Sequence, residues 1–224
     1  MRYFDTVKIL LDAASPGVYF YLDDVKIDLM RQPMAFFLIL APFATFSLLM
    51  LVAPAVPSLI AGAAVATATI AYDLAGGRSV KMLAAGSAIL FTALAGYFAL
   101  ADSAWSSTVI RLAVDAGTLT IILLSIAART PFTLQYAREA VDAETAKLPA
   151  FLMANYIITA AWAAAIVLMA AANLFAFYLP SLPLWIGIAI GFAARNAAVY
   201  FTNWYPHYLR TRHGASLKNT AAAS

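Results

Sequence analysis

Apolar residues run in six long stretches, and polar residues are concentrated at the joints between them. The stretches lie near 34–53, 57–75, 80–101, 106–128, 150–178 and 183–204. About twenty residues, rising 1.5 Å each, cross a hydrocarbon layer of about 30 Å. The pattern therefore predicts an all-α integral membrane protein with six transmembrane helices. Breaker residues mark the tight turns: Pro54 with Pro57, Gly76-Gly77-Arg78, Asp102-Ser103, and Pro180 with Pro183. The longest internal joint, 129–149, mixes Gln, Arg, Glu and Asp with Phe132 and Leu134, and reads as an amphipathic loop.

Residues 1–33 are too polar to span. Asp5-Thr6 can cap a short helix that Ser15-Pro16-Gly17 ends. A second helix would place Val18, Leu22, Val25 and Leu29 on one face and Asp23, Asp24 and Asp28 on the other. We expect two short amphipathic helices lying in the interface ahead of the first span. The organisation is then an interfacial segment 1–33, a membrane domain 34–204 and a polar tail 205–224. No cleavable signal peptide is expected, because the first thirty residues lack an apolar core and carry several Asp.

Charge orients this plan. Twelve of the 14 Lys and Arg fall in four clusters on alternate joints. These are Arg2 to Arg31, Arg78 with Lys81, Arg129 to Lys147, and Arg210 to Lys218. The intervening joints have no Lys or Arg. Under the positive-inside rule both termini are cytoplasmic. Only 11% of residues are charged and 64% are hydrophobic, against about 25% charged in soluble domains. Membrane lipids are thus the first expected partners. The net charge of +3 sits in the clusters, so it reads as topology and not as a nucleic-acid footprint. There is no cysteine, which excludes disulfides, thiol redox chemistry and thiolate metal sites.

Three ionisable residues lie inside predicted spans: Arg111, Asp115 and Arg195. Each costs about 2.5–3.5 kcal/mol at the centre of a span, so each should face protein or water. Spacing supports this. Thr108, Arg111, Asp115, Thr118, Ile122 and Ser125 form one helical stripe, and Asn155, Thr159, Trp162, Ile166, Met169 and Asn173 form another. Gly62, Ala66, Thr69 and Asp73 make a third, and Gly187, Gly191 and Arg195 a fourth. The Gly-x-x-x-Gly pair predicts a close helix contact that Arg195 continues. Counted from the uncharged ends, Asp115 lies roughly 14 Å deep and Arg195 roughly 18 Å.

Two readings stay open. The charges can satisfy one another, Arg111–Asp115 within one helix and Arg195–Asp115 between helices, and simply orient the bundle. Alternatively, two Arg and one Asp leave one positive charge at depth, and a guanidinium there suits a carboxylate or phosphate headgroup. The candidate site is Arg111, Asp115 and Arg195 with Asn155, Thr159 and Asp73.

Other chemistry is not indicated. The Asp23-Asp24 and Asp28 run, interrupted by Lys26, reads as a solvated helix face and not a metal site. His207 and His213 follow the last span and cannot serve as axial haem ligands inside the bundle. No span carries a Lys for a Schiff base, and no phosphate-binding glycine loop is present. No metal, cofactor or catalytic residue is expected, and a non-enzymatic role is favoured. Tyr200, Trp204, Tyr205 and Tyr208 read as an interfacial aromatic belt.

Over residues 40–200 several features recur in the order found in a known family. They are the turn Gly76-Gly77-Arg78-Ser79-Val80-Lys81, then Arg129-Thr130-Pro131-Phe132 followed by Arg138-Glu139. Trp162 follows, with Asn173 eleven residues on, then Tyr178-Leu179-Pro180 and Trp185. In this order the chain resembles the intracellular septation protein A family of YciB-type inner-membrane-spanning proteins. It departs from that pattern at Thr159, where the family has Asn, in its longer N-terminal segment, and at Arg195. The resemblance implies the bacterial inner membrane and a role in envelope maintenance or septation. That role would act through contacts with other envelope or division membrane proteins or a homo-oligomer. It supplies no site residue. The alternative is a small carrier of a lipid or other anionic amphiphile.

Overall fold

The computed structural model describes residues 33–100, 105–179 and 183–221. The expected interfacial helices of 1–33, the Asp102-Ser103 turn, Pro180 and the Ala-Ser end lie outside them, apart from Pro33. Among the described residues all regular structure is helical. There are seven α-helices: α1 Pro33–Leu49, α2 Ala55–Ala75, α3 Met82–Leu100, α4 Ser107–Ala127, α5 Phe132–Ala137, α6 Pro149–Tyr178 and α7 Leu184–Ala221. Single 3₁₀ turns follow at Arg138–Ala140 and Thr145–Lys147.

Helices α2, α3, α4 and α6 are long and apolar enough to cross a membrane. At most 33% of the apolar window of each is buried inside the protein. Leu48, Ile89, Val167, Phe175 and Phe192 are among the large side chains left exposed. Such surface is stable only against an apolar solvent. The two outermost expected spans differ from these four. Helix α1 stops at Leu49, short of the expected 53. Helix α7 does not stop at 204. It continues through Pro206 to Ala221, so the expected polar tail extends the last helix.

Both turns at the basic end have the same closure. After α2, Gly77 adopts φ +68, and Arg78 N–H reaches back to Asp73 C=O at 2.9 Å. After α4, Arg129 adopts φ 59, and Thr130 N–H reaches Ser125 C=O at 3.0 Å. This six-to-one bond satisfies end carbonyls that the helix itself leaves open. Glycine takes the left-handed position freely, whereas an L side chain there costs about 1–2 kcal/mol.

Helix packing follows an arc in the order α1, α2, α3, α4, α6, α7. Phe91 is fully buried at its first half, against Phe43 and Phe46, with Gly62 making room for the ring. Trp162, Phe132, Ile122 and Ile166 fill the second half. The arc does not close: its two ends, α1 and α7, do not pack extensively on one another, and neither do α4 and α7.

Candidate functional site

The open side of the arc holds a cavity of about 620 Å³, lined from α1, α4, α5, α6 and α7 with Leu83 of α3. That volume lies within the range that encloses a small ligand. Its walls are mostly apolar. The polar groups that enter it come from the stripes read in the sequence: Thr108, Arg111, Asp115 and Thr118 on α4, Asn155 and Asn173 on α6, and Arg195 on α7.

Asp115 is 7% exposed. Asn173 Nδ2 donates to its Oδ2 at 2.6 Å, which joins α4 to α6. The Arg111–Asp115 and Arg195–Asp115 salt bridges, one of the two readings left open by the sequence, do not form. Among the described residues the ion pairs are Arg78–Asp73, Lys81–Asp73 and Lys81–Glu139. Both guanidiniums feel the Asp115 carboxylate through space. Neither donates a hydrogen bond to a described protein group, and no fully buried polar atom is left unpartnered. Both residues line the cavity.

Several polar side chains of the cavity are bonded within the protein. Thr118 Oγ1 donates to Val114 C=O, and Asn155 Nδ2 to Phe151 C=O. Thr133 Oγ1 bridges Asn155 C=O at 2.9 Å and Thr159 Oγ1 at 2.7 Å. Trp162 Nε1 donates to Thr202 Oγ1 at 3.0 Å, which in turn donates to Ala198 C=O. These bonds hold α6 against α5 and α7.

Of the six sequence candidates, the cavity gathers Arg111, Asp115, Arg195 and Asn155. Thr159 is fully buried behind its wall, bonded to Thr133. Asp73 stands elsewhere. It binds Arg78 at 2.8 Å and Lys81 at 2.9 Å at the basic end, so it does not balance Arg195. Lys81 is 2% exposed, reaches Glu139 at 3.0 Å and lies over the Tyr136 ring. Burial, helped by the Asp73 and Glu139 carboxylates, holds the Tyr136 phenol well above its ordinary range, so it stays neutral. Gln135 Oε1 accepts from Met82 N–H at 2.7 Å. Together these contacts fasten α5 across the basic end of the cavity.

Sequence reasoning placed Asn173 on the right stripe but not in the site. Its signal was an amide at membrane depth in line with Trp162. The Lys81 cluster had no local signal, because Glu139 comes from a loop 58 residues away. Gly187 and Gly191 differ most from expectation. A Cβ on either would meet nothing within 4 Å, and both line the cavity. They leave open space beside Arg195 and do not form the expected helix contact.

No family model matches the chain, and no curated protein or solved structure matches it.

Proposed function

We propose that this chain is a six-span membrane protein that binds, and carries within the bilayer, an amphiphile with an anionic headgroup. One observation carries the reading: Arg111 and Arg195 line a largely apolar cavity among membrane helices, and neither has a hydrogen-bond or salt-bridge partner among the described residues. A guanidinium is always charged, and its planar fork matches carboxylate or phosphate oxygens. A desolvated cation of that kind is costly unless an anion completes it. The apolar remainder of the cavity accepts a hydrocarbon tail.

In this reading α1 and α7 complete the six spans. The basic end, with Arg78, Lys81, Arg129, Arg138 and Lys147, faces the cytoplasm of a bacterial inner membrane, with both termini on that side. The envelope or septation role implied by the resemblance needs a partner surface, and no structural observation singles one out.

Native mass spectrometry of the detergent-purified protein beside Arg195→Ala and Arg195→Gln tests the reading. A discrete anionic adduct on the wild type, lost from both variants while their helicity is unchanged, supports it. No adduct on the wild type, with both variants less thermally stable, makes Arg195 a structural tie and overturns it.

A further inference from the structure

The cavity is divided along its length. The charged groups enter it toward the end opposite the basic turns: Arg111 and Asp115 on α4 and Arg195 on α7, with Asn173 on α6 and Gly187 and Gly191 beside them, and with Phe46, Leu48, Phe175 and Phe192 also lining that end. Toward the basic end it is large and apolar: Leu83, Ile122, Phe132, Ile158 and Trp162. Thr133, Asn155 and Thr202 in this second half are already bonded to protein. Both cations of the cavity are in the first half. Trp162 lies three helical turns from Asn173 along α6, and Thr202 two turns from Arg195 along α7. Helix α5 closes the apolar end, latched by Lys81–Glu139 and Gln135–Met82.

We infer that the ligand is an amphiphile with one negative charge, seated with its oxyanion between Arg111 and Arg195 and its tail running past Trp162 toward α5. This rests on the reading proposed above and adds a direction and a charge to it. Two guanidiniums and the Asp115 carboxylate leave one positive charge, which a single anion neutralises. The bare glycine face of α7 provides the width a headgroup needs beside Arg195. The tail gains little by leaving one hydrocarbon medium for another, so the headgroup sets affinity and the tail sets fit. With the basic end cytoplasmic, this is the orientation of a molecule from the outer leaflet.

Trp162 reports the orientation directly. In full-length protein with Trp105, Trp185 and Trp204 changed to Phe, Trp162 is the only indole, and at 6% exposed it is shielded from bulk lipid. The probes are stearates brominated near the methyl end or near the carboxylate, the matching brominated long-chain alcohols, and phosphatidylglycerol brominated at the same chain positions. The stearate arm reads a carboxylate head and the phosphatidylglycerol arm a phosphodiester. The expected result is saturable quenching by at least one of these two anions. Bromines near the methyl end should quench at least about twofold more deeply, and the alcohols should give no saturable quenching. Arg195→Gln should raise the half-saturating concentration about tenfold or more. Equal or deeper quenching from bromines near the headgroup overturns the orientation while leaving anion binding standing. Saturable quenching by the alcohols overturns the headgroup assignment. Absence of saturable quenching by every probe, with no adduct in native mass spectra, overturns both this inference and the binding reading beneath it.

Discussion

Asn173 donates a 2.6 Å hydrogen bond to Asp115 from another helix, while Arg111, one turn away on the same helix as Asp115, closes no salt bridge with it. The amide holds the carboxylate toward α6 and leaves both guanidiniums available. Asn173→Ala frees the carboxylate to turn onto an arginine, where it competes with the ligand. We expect anion affinity to fall several-fold and stability to drop by about 1–3 kcal/mol, the usual cost of losing a partner to a buried charged group. Asp115→Asn removes the competing charge and should tighten anion binding. A brominated-stearate titration of both variants, with thermal melts alongside, checks the opposite directions.

Two glycines should respond in opposite ways. At Gly62 a Cβ would stand 3.1 Å from the fully buried Phe91 ring, which Phe43 and Phe46 hold in place. Gly62→Ala should cost about 1–3 kcal/mol by overpacking. At Gly191 a Cβ meets open space, so Gly191→Ala should be neutral or gain up to about 1 kcal/mol in helix propensity. Gly191→Leu should keep the fold and block ligand binding by filling the cavity. Thermal melts separate the first pair, and native mass spectra read the last variant.

The Lys81 cluster should matter for stability out of proportion to its place at the basic end. Lys81 is 2% exposed between Asp73 and Glu139. Lys81→Ala should cost up to about 3–5 kcal/mol, as removing one member of a buried ion pair does. Asp73 keeps Arg78, which moderates the loss. Glu139→Gln, at a position 32% exposed, should cost no more than about 1 kcal/mol. Comparable melting temperatures for the two variants would contradict the burial cost assigned to Lys81.

Asp142 provides a pH test outside the membrane. Its carboxylate accepts from the Thr145 N–H at 2.8 Å, the Thr145 hydroxyl at 2.7 Å and the Glu144 N–H at 2.9 Å. The Thr145 backbone bond foremost holds its pKa below the usual carboxylate value. A depressed acid contributes its stabilisation above its unfolded pKa, about 3.9, and loses it as pH falls through the folded value. Hydrogen exchange at the Glu144 and Thr145 amides should be slow above that range and speed up below it. Asp142→Asn should largely abolish the pH dependence.

Much of the fold was legible because membrane spans are written in one dimension. Helices α2, α3, α4 and α6 begin and end within two residues of the limits read from apolar runs and breakers. The buried stripes on α4 and α6 follow from the 3.6-residue repeat, which Ile122, Ser125, Trp162 and Met169 keep through their burial. The ends of α1 and α7 were harder to read. At α7, Pro206 removes only one backbone donor, and the helix continues through it beyond the expected limit at 204.

The sequence by itself determined the helical class, the apolar spans, the concentration of charge at one end, and the face of each helix on which Arg111, Asp115, Asn173 and Arg195 lie. Periodicity and solvent preference are local properties, so no partner helix is needed to read them. Only the tertiary structure decided which of those faces meet. It turned Asp115 to Asn173 and away from the arginines, took Asp73 out of the site to hold Lys81, and left Gly187 and Gly191 facing space and not a helix. Each of these depends on which helix stands opposite and how closely it approaches. That balance of long-range packing and hydrogen bonding is not recorded in the spacing of any one segment.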